Sequence, residues 1–301
     1  MATAWLALVV GNTRLHWGFF DQERLVGTWH TPPLPAEIVS QLIEHGLQAE
    51  AWQQVDGLTL LAEAGLPQRA LLPSALWIAS VVPAQTALWA SDPSVQTVRR
   101  SHIPLANLYP TLGVDRAINL LGAGSTVGWP VLVVDGGTAL TFTAGISQAG
   151  QLAVYGGAIL PGIRLQEQAL TQKTAALAEA IAFSQSRSEA ADSQKMTSAV
   201  TSALPAILPE RWATDTAGAI ASGLAYGTIA AVTDYLIDWW QQFPQGKVVF
   251  TGGDAPLLYT LLQQKTPEIA SRVQIDSHLM FLGMQVYRQT VMAASTATAQ
   301  Y

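Results

Sequence analysis

Two stretches of this chain follow one plan: an apolar strand runs into a glycine turn closed by threonine and returns as a second strand. The first is Trp5 to Val10, Gly11-Asn12-Thr13, then Leu15 to Phe20. The second is Pro130 to Val134, Asp135-Gly136-Gly137-Thr138, then Ala139 to Ala144. Each reads as a hairpin, because β-rich runs flank a short turn of small residues. Two related units follow, each an α/β unit with a mixed sheet. At 301 residues the chain is long enough to bury a core in both.

Helical and extended patterns alternate through the rest. Glu37 to Ala51 and Val114 to Ala123 have helical spacing, and Ala75 to Val82 is a β-rich run ended by Pro83. Ala217 to Trp240 reads as one long helix rich in small residues. Lys247 to Phe250 is a strand that delivers Thr251-Gly252-Gly253-Asp254 to a helix beginning near Ala255, a third glycine turn at a strand end. Gln172 to Pro205 is rich in Ala, Ser, Gln and Thr and weakly periodic, which predicts helix fragments or a mobile excursion, centred on 184–206. The small polar tail, 291–301, is expected to fray.

Composition removes whole classes of function. A net charge of −6 with scattered Lys and Arg provides no field for nucleic acid. The absence of cysteine excludes disulfide scaffolds, thiolate zinc sites and cysteine nucleophiles, and fits a cytoplasmic protein. Residues 136–163 carry no charge, but Gly, Pro, Thr, Ser and Gln interrupt them, so buried strands are expected and no membrane span. The P-loop pattern G-x-x-x-x-G-K-[ST], the H-E-x-x-H zinc helix and the G-x-S-x-G elbow are all missing.

What remains is a set of anion cradles. The turns Gly11-Asn12-Thr13-Arg14, Gly136-Gly137-Thr138 and Gly252-Gly253 can present backbone N–H groups to a phosphate because no side chain blocks the approach. Taken singly, each also reads as a plain structural turn. The densest polar cluster is Tyr109-Pro110-Thr111-Leu112-Gly113-Val114-Asp115-Arg116, with an acid and a fixed cation at an expected helix start. Gly113-Val114-Asp115-Arg116 resembles the G-x-D-R motif of type III pantothenate kinases. Further family marks follow in register: Ser80-Val81-Val82-Pro83, Asp135-Gly136-Gly137-Thr138-Ala139, Gly156 to Gly162, Thr216 with Ala219, Ile220, Ser222 and Gly223, and Thr251-Gly252-Gly253. The resemblance runs from about Leu6 to Gly283.

That resemblance implies the actin and sugar-kinase superfamily fold, two ribonuclease-H-like lobes with a nucleotide cleft between them, taken here as 1–115 and 116–301. It implies ATP, Mg2+ and a monovalent cation (K+ or NH4+) as cofactors, pantothenate as the second substrate, and a homodimer. Asp115 would be the base for the substrate hydroxyl and Arg116 would hold a phosphoryl oxygen. Tyr109, Gly113, Val114 and Thr216 would complete the pantothenate site. Gly11, Asn12, Thr13, Arg14, Thr138, Gly252 and Gly253 would contact ATP, and Asp135 would hold the cation. Each has a structural counterpart: Asp115 as a cap beside an Arg partner, Asp135 as an Asx turn, Thr214, Asp215 or Thr216 as the cap of the long helix.

One departure stands out. The family opens with D-x-G-N-[TS], whereas this chain reads Val9-Val10-Gly11-Asn12-Thr13, and the nearest acid, Asp21, lies past the second strand. Two other readings therefore stand beside the active kinase. One is a non-catalytic, regulatory or nucleotide-binding relative. The other is a sugar or acetate kinase, which should lack the Tyr-Pro-x-x-Gly-x-Asp-Arg cluster.

Overall fold

A computed structural model describes residues 4–47, 52, 75–89, 92, 94–172, 204 and 206–298. The chain divides into two compact units: Met1–Gly128 with Ile146–Val154 and His278–Tyr301, and Trp129–Gly145 with Tyr155–Ser277. The expected division at residue 115 differs from this one. Helix α3 (Val114–Val127) packs on helix α8 (Leu279–Thr298), so both go with the first sheet.

The first sheet holds β1 (Trp5–Val10), β2 (Leu15–Asp21), β3 (Arg24–Thr31), β4 (Leu76–Ser80) and β5 (Val95–Thr97), in the order β3-β2-β1-β4-β5. β1 is antiparallel to β2 and parallel to β4. The second sheet holds β6 (Val131–Gly136), β7 (Ala139–Gln148), β8 (Gln151–Pro161), β9 (Lys247–Thr251) and β10 (Val273–Ile275), in the order β10-β9-β6-β7-β8. There β6 is antiparallel to β7 and parallel to β9. The two orders match when β1 is set against β6, so the duplicated hairpin extends to a duplicated five-stranded sheet.

Alternation places the core. In β1, Leu6, Leu8 and Val10 face one side, where Trp17, Trp29, Trp52 and Trp89 pack together with α1 (Ala36–Glu44) through Val39 and Leu42. Trp5, Ala7 and Val9 face the other, the side covered by α8, where Phe281 lies against Gly18. The expected helix from Glu37 to Ala51 is shorter, because the chain turns through Gly46 and Leu47, both at positive φ.

In the second unit the long helix α5 (Thr216–Gln242) buries Leu224, Ala225, Ile229, Val232, Leu236, Trp239 and Trp240 against Leu132, Val134, Phe142, Val248 and Phe250. Its length and apolar composition would suffice for a membrane span, yet this recurrent buried face identifies it as a core helix. The uncharged stretch near 136–163 forms β7 and β8, as its punctuation implied.

Two expectations about mobile segments meet different fates. The 184–206 excursion lies outside the described residues, except for Leu204, which is buried in the second core, and Ala206. The tail expected to fray from 291 is helical to Thr298, continuing α8 past its buried anchors Phe281, Met284 and Tyr287, with the side chains of 292–296 exposed. Residues 299–301 lie outside the described residues.

Candidate active site

In the first unit, β1 and β2 enclose the turn Gly11 to Arg14, closed by a hydrogen bond from Gly11 N to Arg14 O of 3.0 Å. Asn12, Thr13 and Arg14 are exposed, so the turn presents its polar groups outward. Val9 is buried at 3 % exposure, and no carboxylate enters the turn from β1.

A second turn of the same unit carries the Tyr109 to Arg116 cluster. Leu112 N donates to Tyr109 O at 3.0 Å, and Gly113 then starts α3, with Ala117 N donating to Gly113 O at 3.2 Å. Asp115 falls in the first helical turn, half-buried, where the helix dipole favours its charge. A Cβ on Gly113 would meet the Asp115 carboxylate, so a larger residue there would force that side chain to move. Arg116 is buried, and its Nη1 donates to the Tyr109 hydroxyl at 3.2 Å. Arg116 and Tyr109 are thus joined, with Asp115 beside Arg116 in the same helical turn.

Sequence reasoning missed what fixes that turn. Arg100 donates from Nη1 to Pro110 O and from Nη2 to Leu112 O at 2.8 Å, pinning two carbonyls of this one turn from outside it. A lone arginine outside any motif gives no signal of this in sequence.

In the second unit, three glycine segments converge on Asp135. Register pairs Asp135 with Thr251, Asp254 N donates to Gly136 O at 2.8 Å, and Gly162 N donates to Thr138 O at 3.0 Å. Gly252 adopts φ +87°, and a Cβ there would overlap the Asp135 carboxylate, so only glycine suits on both counts. Thr138 and Gly253 are exposed beside it. Asp254 begins α6 (Ala255–Lys265), and its burial raises its carboxyl pKa, partly offset by Arg164 of α4 (Ile163–Gln172).

Cation chemistry can be tested on this donor set. Among the described residues no cluster of three His, Cys, Asp or Glu exists for a transition metal or a carboxylate-rich divalent site. Thr251, however, is 1 % exposed, and its Oγ1 has no hydrogen-bond partner while it sits in register with Asp135. A carboxylate and an orphaned buried hydroxyl are hard oxygen donors suited to a monovalent cation. A magnesium ion finds no such fit at the Gly11 turn, whose neighbours are Val9, Arg14 and His16.

Thr216 opens α5 and is exposed. The cap is Asp215, whose Oδ1 accepts from Gly218 N at 2.8 Å, which settles the choice among the three candidate capping residues.

The family model described as type III pantothenate kinase matches residues 5–238. A type III pantothenate kinase of Nostoc sp. is 42% identical over 281 residues, covering 93% of each chain. One from Synechocystis sp. is 38% identical and covers 93% of this chain and 88% of its own. Among solved structures, a candidate transcriptional activator of the Baf family from Campylobacter jejuni aligns with a TM-score of 0.53 over 94% of this chain and 97% of its own. At 16% identity that last likeness speaks for the fold alone.

Proposed function

Since the chain belongs to the type III pantothenate kinase family, we propose that its phosphoryl transfer is run from the Gly113-Val114-Asp115-Arg116 turn. The protein is an ATP-dependent pantothenate kinase of coenzyme A biosynthesis. The observation that carries the assignment of roles is the placement of Asp115 in the first turn of α3 with buried Arg116 held by Tyr109 beside it.

Asp115 takes the proton of the pantothenate hydroxyl as its oxygen forms a bond to the γ-phosphorus. The bond from that phosphorus to the β–γ bridging oxygen breaks, and ADP leaves. Such a transition state asks for orientation and charge stabilisation more than covalent participation, which suits one carboxylate and one guanidinium. Tyr109, Gly113, Val114 and Thr216 recognise pantothenate.

Gly11, Asn12, Thr13, Arg14, Thr138, Gly252 and Gly253 contact ATP. Asp135 and Thr251 hold a monovalent cation, which supplies fixed positive charge for phosphate oxygens. Magnesium would come with ATP, since no carboxylate enters the Gly11 turn to hold it. The working form is a homodimer, supported by Trp212, a large apolar side chain 85% exposed just before α5.

A coupled ADP-release assay with ATP, magnesium and potassium, run over pantothenate, glycerol, acetate and hexoses, tests the activity. Turnover with pantothenate alone is expected. Nucleotide binding without turnover of any acceptor would favour a regulatory relative, the reading that Val9 motivates.

A further inference from the structure

We propose that His16 is a phosphate-binding residue of the opening turn, donating from Nε2 to a phosphate oxygen of ATP, and that His30 is the positioning residue that sets its tautomer. The inference rests on the reading that the Gly11 turn takes the nucleotide phosphates.

Strand register supplies the geometry. Val9 pairs with His16, and His16 pairs with His30, so the three side chains form a row across β1, β2 and β3 on one face of the first sheet. The row lies at the carboxyl end of β1, immediately before the turn. The His16 ring points at that turn, because a Cβ placed on Gly11 would lie 3.8 Å from its Nε2. Its other nitrogen is engaged: Nδ1 of His16 and Nδ1 of His30 are 3.0 Å apart and share one proton.

That shared proton decides what His16 can do. With the proton on His30, His16 accepts at Nδ1 and carries its own proton on Nε2, facing the turn as a donor. With the proton on His16, Nε2 is a bare lone pair that would repel a phosphate. Only the first arrangement suits an anion site, which is why His30 matters although it does not face the turn.

The surrounding charge agrees. Arg14 in the turn faces both rings, and His278, just ahead of α8, faces His30. Burial, followed by His30 and Arg14, holds His16 neutral down to a pKa of about 4. A neutral donor beside an arginine binds phosphate oxygens directly. An aspartate at position 9 would instead have favoured a metal ion and its water. Val9 and His16 thus change the character of this turn together.

Calorimetric titration of the full chain with ADP and with the non-hydrolysable analogue AMPPNP, magnesium present, tests the inference without relying on turnover. His16→Leu should weaken both nucleotides about tenfold, the scale of one lost charge-assisted hydrogen bond. His16→Gln, which keeps an N–H near the Nε2 position, should stay within about threefold of wild type. In steady state His16→Leu should raise KM for ATP and leave KM for pantothenate unchanged. Long-range nitrogen–proton NMR correlations of the wild type should show His16 protonated on Nε2 and His30 on Nδ1. Unchanged nucleotide affinity in His16→Leu, equal loss in His16→Gln, or a His16 protonated on Nδ1 would each overturn the proposal. A wild type that binds neither nucleotide would instead remove the ATP reading of the turn, and the inference with it.

Discussion

At the scale of single residues, four side chains carry three separable consequences. Asp115→Asn keeps the size of the acid but removes its basicity, so kcat should fall by about 10² or more while ATP affinity holds. Single-turnover kinetics would check it, and a kcat/KM for pantothenate within twofold of wild type would show that Asp115 is only a residue of the first turn of α3, whose cap position is Gly113 and which has no side-chain capping bond. Asp135 and Thr251 call for a change of salt. Replacing potassium by a large organic cation at constant ionic strength should suppress turnover, and Asp135→Ala should reproduce that loss. Equal rates in both salts would leave Asp135 as a turn residue. His16 makes a prediction about stability. Its folded pKa is lowered from 6.5 to about 4, so between those values the unfolded chain binds a proton that the folded chain refuses. Its contribution is full above the unfolded value and is lost as pH falls toward the folded one, to a depth of about 3 kcal/mol. Urea unfolding from pH 7 to 4.5 should therefore show a steeper decline for wild type than for His16→Gln.

At the scale of elements, the pairing of α3 with α8 decides how the first unit is built. A Cβ on Gly122 would overlap the carbonyl oxygen of Leu279, and one on Gly283 would overlap that of Ile118. Both clashes are with backbone, which no rotamer change relieves, so the two helices approach this closely only because both positions are glycine. Gly122→Ala or Gly283→Ala should each cost about 3 kcal/mol, at the upper end of overpacking effects, and the denaturant midpoint would report it. Since α3 begins at Gly113, such a shift should also displace Asp115 and lower kcat in the folded fraction. Little change in either quantity would mean that the contact yields easily. β9 and its turn illustrate the opposite case. Its ending in Thr251-Gly252-Gly253 was legible because a buried strand followed by paired glycines has few other uses, and the structure adds the reason, the Asp135 carboxylate lying against Gly252.

At the scale of the whole molecule, Trp212 is 85% exposed and precedes α5, whose Tyr235 and Ile237 are also exposed. A tryptophan in water beside such a helix is expected to be covered by a second copy of the chain. Trp212→Asp should convert the protein to a monomer in light scattering, with activity falling in parallel if Thr216 completes the partner's site. A dimer that survives the substitution would move the interface elsewhere. Much of this protein was legible in its sequence. Hairpins near 11 and 137 were readable because alternation and glycine turns are local, and the Tyr109 to Arg116 cluster was readable because its members are neighbours in the chain. The structure then showed β3, β5, β10 and α8, which sequence reasoning did not mark, along with a first unit assembled from three separate stretches. Those depend on contacts between distant residues. Arg100 reaches Pro110 and Leu112, His30 meets His16 through strand register, and Thr251 meets Asp135 across β6 and β9. The sequence by itself determined the strands and the glycine turns, since periodicity and turn stereochemistry act over a few residues, and its motifs carried the resemblance from which the chemistry was inferred. Tertiary structure alone decided which glycines are packing surfaces, which arginine holds the Tyr109 to Leu112 turn and which histidine faces the Gly11 turn, because each is set by an approach between residues that are not neighbours in the chain.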